Sequence, residues 1–139
     1  MALNPNPAPT YAIPFALIPA VLPTAAKTTF VDVTSAVKVV DTVAVGRFVA
    51  VSSITVEATA NLSIGKLVAY LWNGSTLIEA ASVAHASITS STTAAAQIVF
   101  DKVTGTVPIY VSEGWSLYLA TLVAQPAGSM HATGNGKQF

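Results

Sequence analysis

The chain contains no cysteine. Disulfide bonds and thiolate metal sites are excluded, and the redox compartment leaves no trace in the composition. Charge is almost as scarce. Six basic and six acidic side chains, 9% of 139 residues, cancel to a formal net charge of zero, where a typical globular chain is about a quarter charged. Lys27, Lys38, Arg47, Lys66, Lys102 and Lys137 stand singly, so no basic stripe follows a phosphate backbone and nucleic acid is not an expected partner. Apolar residues make up 53% of the chain. A monomer with this balance has weak colloidal protection, and partner chains are expected to cover much of its surface.

Long apolar runs are missing as well. Pro14, Pro19 and Pro23 break the apolar N-terminal stretch into short pieces, and no basic region precedes it. Neither a cleaved signal peptide nor a membrane anchor is expected from such a pattern. The inventory for chemistry is equally thin. Histidine is limited to His85 and His131, and the carboxylates Asp32, Asp41, Glu57, Glu79, Asp101 and Glu113 are at least nine positions apart. There is no Gly-x-Ser-x-Gly elbow, no His-x-His, no His-Glu-x-x-His and no Asp-rich calcium loop, the patterns that would assemble a nucleophile or a metal site. Gly134-Asn-Gly136-Lys137 lacks the upstream glycine and the following hydroxyl residue of a phosphate loop and reads as a terminal turn. No catalytic residue, cofactor site or metal site is expected, and the chain does not read as an enzyme.

Proline is concentrated. Six of the eight prolines, at 5, 7, 9, 14, 19 and 23, fall in the first 23 residues, which carry no charged side chain. Proline fixes φ and removes a donor, so this segment is expected to be extended rather than helical or part of a central strand. It also holds Tyr11, Ile13, Phe15, Leu17, Ile18, Val21 and Leu22. An extended arm this apolar needs a surface to lie on. Residues 1–27 read as a docking arm and residues 28–139 as the folded domain.

Beyond the arm, Val, Ile and Thr dominate without a helical period, the texture of an all-β domain. The expected strands are Thr28–Val33, Ala36–Thr42, Phe48–Thr59, Lys66–Trp72, Thr76–Ala84, Ala95–Val103, Val107–Val111 and Trp115–Ala124, with a short last strand over Ser129–Thr133. Ile54, Val56 and Ala58 alternate with Ser53, Thr55 and Glu57, as in a half-buried strand. Lys66–Trp72 is apolar on both faces, which places it between layers or against a partner. Asn73-Gly74 predicts a type I′ hairpin turn. The run Ser87–Thr93 is a polar loop or exposed edge. These strands fit a two-sheet β-sandwich of jelly-roll type with an extended proline-rich N-terminal arm. An immunoglobulin-like order is the alternative. Tyr70, Trp72 and Tyr118 are candidate interface aromatics, as large aromatics dominate cores and interfaces alike.

Several segments stand in a suggestive order: Ser53-Ile-Thr-Val-Glu-Ala-Thr59, Leu67-Val-Ala-Tyr-Leu-Trp-Asn-Gly74, Thr76-Leu-Ile-Glu79, Ala86-Ser-Ile-Thr-Ser-Ser-Thr92, Gly114-Trp-Ser-Leu-Tyr-Leu-Ala-Thr121 and Gly136-Lys-Gln-Phe139. Over about Val51–Phe139 this series resembles small virion proteins of tailed phages and prophages. Phe30–Arg47 departs from the glycine-rich turn of that pattern. The resemblance implies a structural protein with no catalytic residues to transfer. The leading expectation is a capsid decoration or cement protein on the capsid surface. It would be a homotrimer bound to the major capsid protein or other virion subunits through sandwich and arm, without nucleic acid or membrane. The alternative is a tail, fibre or head-tail accessory protein whose sandwich binds a receptor or glycan. A secreted carbohydrate-binding module using Trp72 or Trp115 ranks behind both.

Overall fold

The computed structural model describes residues 12–89, 96–126 and 129–139. Ten strands occur among them: β1 (Ile13–Ala16), β2 (Ala20–Val21), β3 (Val37–Val40), β4 (Phe48–Ala58), β5 (Gly65–Trp72), β6 (Leu77–His85), β7 (Ala96–Phe100), β8 (Ile109–Ser112), β9 (Ser116–Thr121) and β10 (Met130–Gln138). All pair antiparallel in two sheets. In the first sheet β10 and β4 are central, β1 and β2 share the outer edge of β10, and β7 and β8 share that of β4. The second sheet runs β3-β9-β5-β6. Apart from the β5–β6 hairpin and the pairs of short strands on one edge, each connection crosses from one sheet to the other. The architecture is an all-β, two-sheet sandwich.

The core lies between the sheets and follows from strand alternation. Val49, Val51, Ile54, Val56 and Ala58 of β4 face Leu67 and Ala69 of β5 and Leu117 and Leu119 of β9, with Phe100 and Met130 among the fully buried side chains. The change of parity between Val51 and Ile54 has a local cause. Asn135 opposes Ser53 while Gly136 opposes Val51, so Ser52 is an extra residue on β4. Such a bulge turns the following residues to the other face; before it, Val49 and Val51 face the core while Phe48 is exposed.

The described part of the N-terminal segment, from Ala12 on, belongs to the sandwich, and the expected boundary between arm and domain at residue 27 is corrected. Ile13–Ala16 pairs with Asn135–Gln138, and Ala20–Val21 with His131–Ala132. Between them the Leu17 amide donates to Gly134 O and the Ile18 amide to Val39 O, at 3.0 and 2.9 Å. This segment therefore bonds both sheets along one side of the sandwich. Ladder bonding alternates, so the Leu17–Gly134 bond places the odd-numbered amides of β1 toward β10 and leaves position 14 facing outward, where proline costs no ladder bond.

Three further expectations are corrected. Thr28–Val33 forms no strand. The chain there is held by local bonds instead: the buried Lys27 ammonium donates to Asp32 O and, just beyond the segment, to Thr34 O at 2.8 Å each, and the Asp32 carboxylate accepts from the Thr34 amide. The Asn73-Gly74 turn is not type I′: Gly74 has φ +96°, but Asn73 is not among the residues with positive φ. Instead the Asn73 side-chain oxygen accepts from the amides of Ser75 and Thr76, an Asx-type closure. Gly134–Lys137 is not a turn but part of β10. Gly134 is required by close approach. A Cβ there would lie 2.5 Å from Ser53 O and 2.9 Å from Leu17 Cδ2.

Candidate partner-binding surfaces

The arm residues divide by face. Leu17 and Leu22, 3% and 2% exposed, are members of the sandwich core; the expectation that they bind a partner is corrected, because their own domain covers them. Phe15 is half-buried against that core. Ile13, Ile18 and Val21 remain exposed. Tyr11 lies outside the described residues.

The candidate aromatics Tyr70, Trp72 and Tyr118 come together on the outer face of the second sheet. One cross-strand row there reads Lys38, Tyr118, Tyr70, Glu79. Tyr70 is buried in a small second cluster with Val68 and Ala120, and Ala36, Leu77 and Leu122 pack against it. The Lys27 ammonium sits 5.6 Å from its ring centroid. The expectation that Tyr70 meets a partner is corrected: the chain's own β2–β3 connection covers it. Trp72 and Tyr118 are half-buried, and Lys38 lies 5.8 Å over the Tyr118 ring while pairing with Asp41 at 3.2 Å.

Charge on this face is locally balanced. Burial pushes the Lys27 ammonium below its usual pKa, partly opposed by the Asp32 carboxylate. Burial, with help from Glu79, raises the Tyr70 phenol. The hydrogen bond to Asp41 raises Lys38, and the Thr42 amide followed by Lys38 holds Asp41 below the ordinary carboxylate range.

The groups able to do chemistry stay dispersed. His131 faces Glu57 across β10 and β4 on the outer face of the first sheet. His85, at the end of β6, has its Nδ1 3.0 Å from Ala86 O. Among the described residues no group of three or more His, Cys, Asp or Glu is placed to hold a metal ion, and no helix is long and apolar enough to cross a membrane. An open notch of about 200 Å³ lies between β2 and β10, lined by Pro19, Ala20, Val21, His131, Ala132 and Thr133. It is smaller than the usual cofactor pocket of roughly 300–1,000 Å³.

One surface escaped the sequence reading. Phe48 and Phe139 exchange backbone hydrogen bonds, and their rings stack at 4.6 Å with an interplanar angle of 9°. Tyr110 is opposite Ala50 on the neighbouring edge. Val49, Val51, Ile109 and Val111 are buried in the core, so Phe48, Ala50, Tyr110 and Phe139 occupy the outer face. Phe48 is 40% and Tyr110 59% exposed. The available signal was Phe48 at the head of a strand, but pairing it with Phe139 required the register of β10.

Neither comparison with protein-family models nor comparison with curated proteins yields a match for this chain.

Proposed function

We propose that this protein is a structural subunit of a phage virion, a capsid decoration or cement protein that binds the head lattice through apolar surface contacts. The observation that carries the reading is the placement of exposed apolar side chains. Phe30 and Val31, Ile64, and Val123 are all exposed, and they come from three different connections at the end of the sandwich where β4 finishes. A surface of that kind suits a permanent partner better than water. The strand order β1/β2-β10-β4-β7/β8 over β3-β9-β5-β6 reads as a jelly roll, an architecture that recurs in viral capsid domains. The segmental resemblance noted in the sequence points the same way. The partner on this reading is the major capsid protein or a neighbouring virion subunit, and the oligomer a homotrimer.

Imaging the assembled particle tests it. Hundreds of copies on the head support decoration. A dozen or fewer at the tail would overturn decoration in favour of an accessory or fibre role, and absence from the particle would overturn the virion assignment itself.

A further inference from the structure

The chain carries two Asn-Gly pairs, Asn73-Gly74 and Asn135-Gly136, and the fold puts them in opposite settings. Asn135 lies in β10, with Ser53 of β4 opposite it. Phe15 of β1 is opposite Gly136. The Leu17 amide bonds Gly134 O, so by ladder alternation Gly136 also turns its amide toward β1. Strand side chains stand roughly perpendicular to the sheet, while the amides lie in its plane. The Asn135 side-chain carbonyl is thus held away from the Gly136 nitrogen.

The other pair sits in the β5–β6 hairpin, where Asn73, Gly74, Ser75 and Thr76 are all exposed. Asn73 Oδ1 accepts from the Thr76 amide at 2.7 Å, the Ser75 amide at 3.0 Å and the Ser75 hydroxyl at 3.1 Å. The ring closed by the Ser75 amide contains the Gly74 nitrogen, so the side-chain carbonyl is folded over the next peptide. The Gly74 amide donates to no acceptor among the described residues. Gly74 has φ +96°, and no atom lies within 4 Å of where its Cβ would be. Donors gathered on one oxygen stabilise negative charge that develops there. A nucleophile tethered beside its target gains further by proximity.

We propose that Asn73 is a self-modification site, at which the Gly74 nitrogen displaces the side-chain amide as ammonia. The Gly74 amide gives its proton to hydroxide from solvent, and its nitrogen bonds Asn73 Cγ. Negative charge passes onto Oδ1, beneath the Ser75 and Thr76 donors. The Cγ–Nδ2 bond then breaks, and the nitrogen leaves as ammonia with a proton taken from water. A cyclic imide remains. Water opens it at Cγ to give aspartate, or at the Asn73 backbone carbonyl carbon to give isoaspartate, which adds a carbon to the main chain. Either product gives a chain of zero formal net charge a negative charge. The virion assignment is not needed for this reaction, and purified protein alone tests it.

Full-length protein is held in mildly alkaline buffer and mapped by mass spectrometry that separates aspartate from isoaspartate. In the folded chain Asn73 should convert about tenfold faster than Asn135 or more. In urea the two should convert at similar rates, because the difference belongs to the fold. Ser75→Ala should slow the folded reaction about fivefold, the effect of one lost hydrogen bond, with Tm unchanged. Equal rates at Asn73 and Asn135 in the folded chain, a preference that persists in urea, or a Ser75→Ala variant that converts as fast as its parent would overturn the proposal.

Discussion

Removing residues 1–23 should unfold this domain. Leu17 and Leu22 are 3% and 2% exposed within the main core. Truncating a buried leucine to alanine costs about 2–5 kcal/mol, so the pair alone represents ~4–10 kcal/mol, against a total stability of roughly 5–15 kcal/mol for a domain. Deletion also removes the partner strand of β10 and the amides that bond Gly134 O, Val39 O and Met130 O. Single variants grade the effect. At about 4 °C per kcal/mol for a domain of this size, Leu17→Ala should lower Tm by about 8–20 °C, while the exposed Ile18→Ala should stay within about 3 °C. Thermal melting followed by circular dichroism, with limited proteolysis, reads both. A chain of residues 24–139 that melts cooperatively within about 5 °C of the full length would refute the claim that this segment is part of the core.

Gly134→Ala should destabilise by ~1–3 kcal/mol in chemical denaturation, because the Ser53 carbonyl that the new methyl meets is backbone and cannot rotate away; an unchanged midpoint would count against the close β4–β10 approach. Lys27→Met should cost ~1.5–3 kcal/mol through loss of its charge-assisted bonds to Asp32 O and Thr34 O, and hydrogen exchange should speed up locally across the β2–β3 connection. Asp32 and Asp41 have carboxyl pKa values held below 3.8, by the Thr34 and Thr42 amides foremost. The folded state therefore binds fewer protons than the unfolded chain in acid. Their stabilisation is fully present above the unfolded pKa and is lost as pH falls below about 3.8 through the lowered folded values. Urea midpoints between about pH 2 and 5 should show this slope, and Asp32→Asn with Asp41→Asn should flatten it.

Strands with strong alternation or turn punctuation were legible in the sequence: Phe48–Thr59 was expected where β4 is Phe48–Ala58, and Lys66–Trp72 where β5 is Gly65–Trp72. What escaped were segments whose state depends on distant partners. Thr28–Val33 has β-branched composition, yet a single buried ammonium bonds Asp32 O within it and Thr34 O just beyond it. Two glycines made Gly134–Lys137 look like a turn, but the missing side chains make room for β4 and for Leu17. Pro14 and Pro19 spoke against a helix or a central strand, and the described part of that segment pairs at the edge of the first sheet. They gave no hint that Leu17 and Leu22 turn inward, since that follows only from pairing with β10. Among the interface candidates, the sequence grouped Tyr70 with Trp72 on one face but could not show Lys27 and Ala36 lying against Tyr70.

The position of β10 sets an order of events. It is the last of the described strands, yet it lies inside the first sheet with β4 on one side and β1 and β2 on the other. While the ribosome is still making it, the inner edge of β4 is open and Leu17 and Leu22 have no lid. The first and last strands meet at a separation of more than a hundred residues, the kind of long-range closure that slows folding. Leu17 and Leu22 therefore wait for their strand partner until β10 itself has been synthesised.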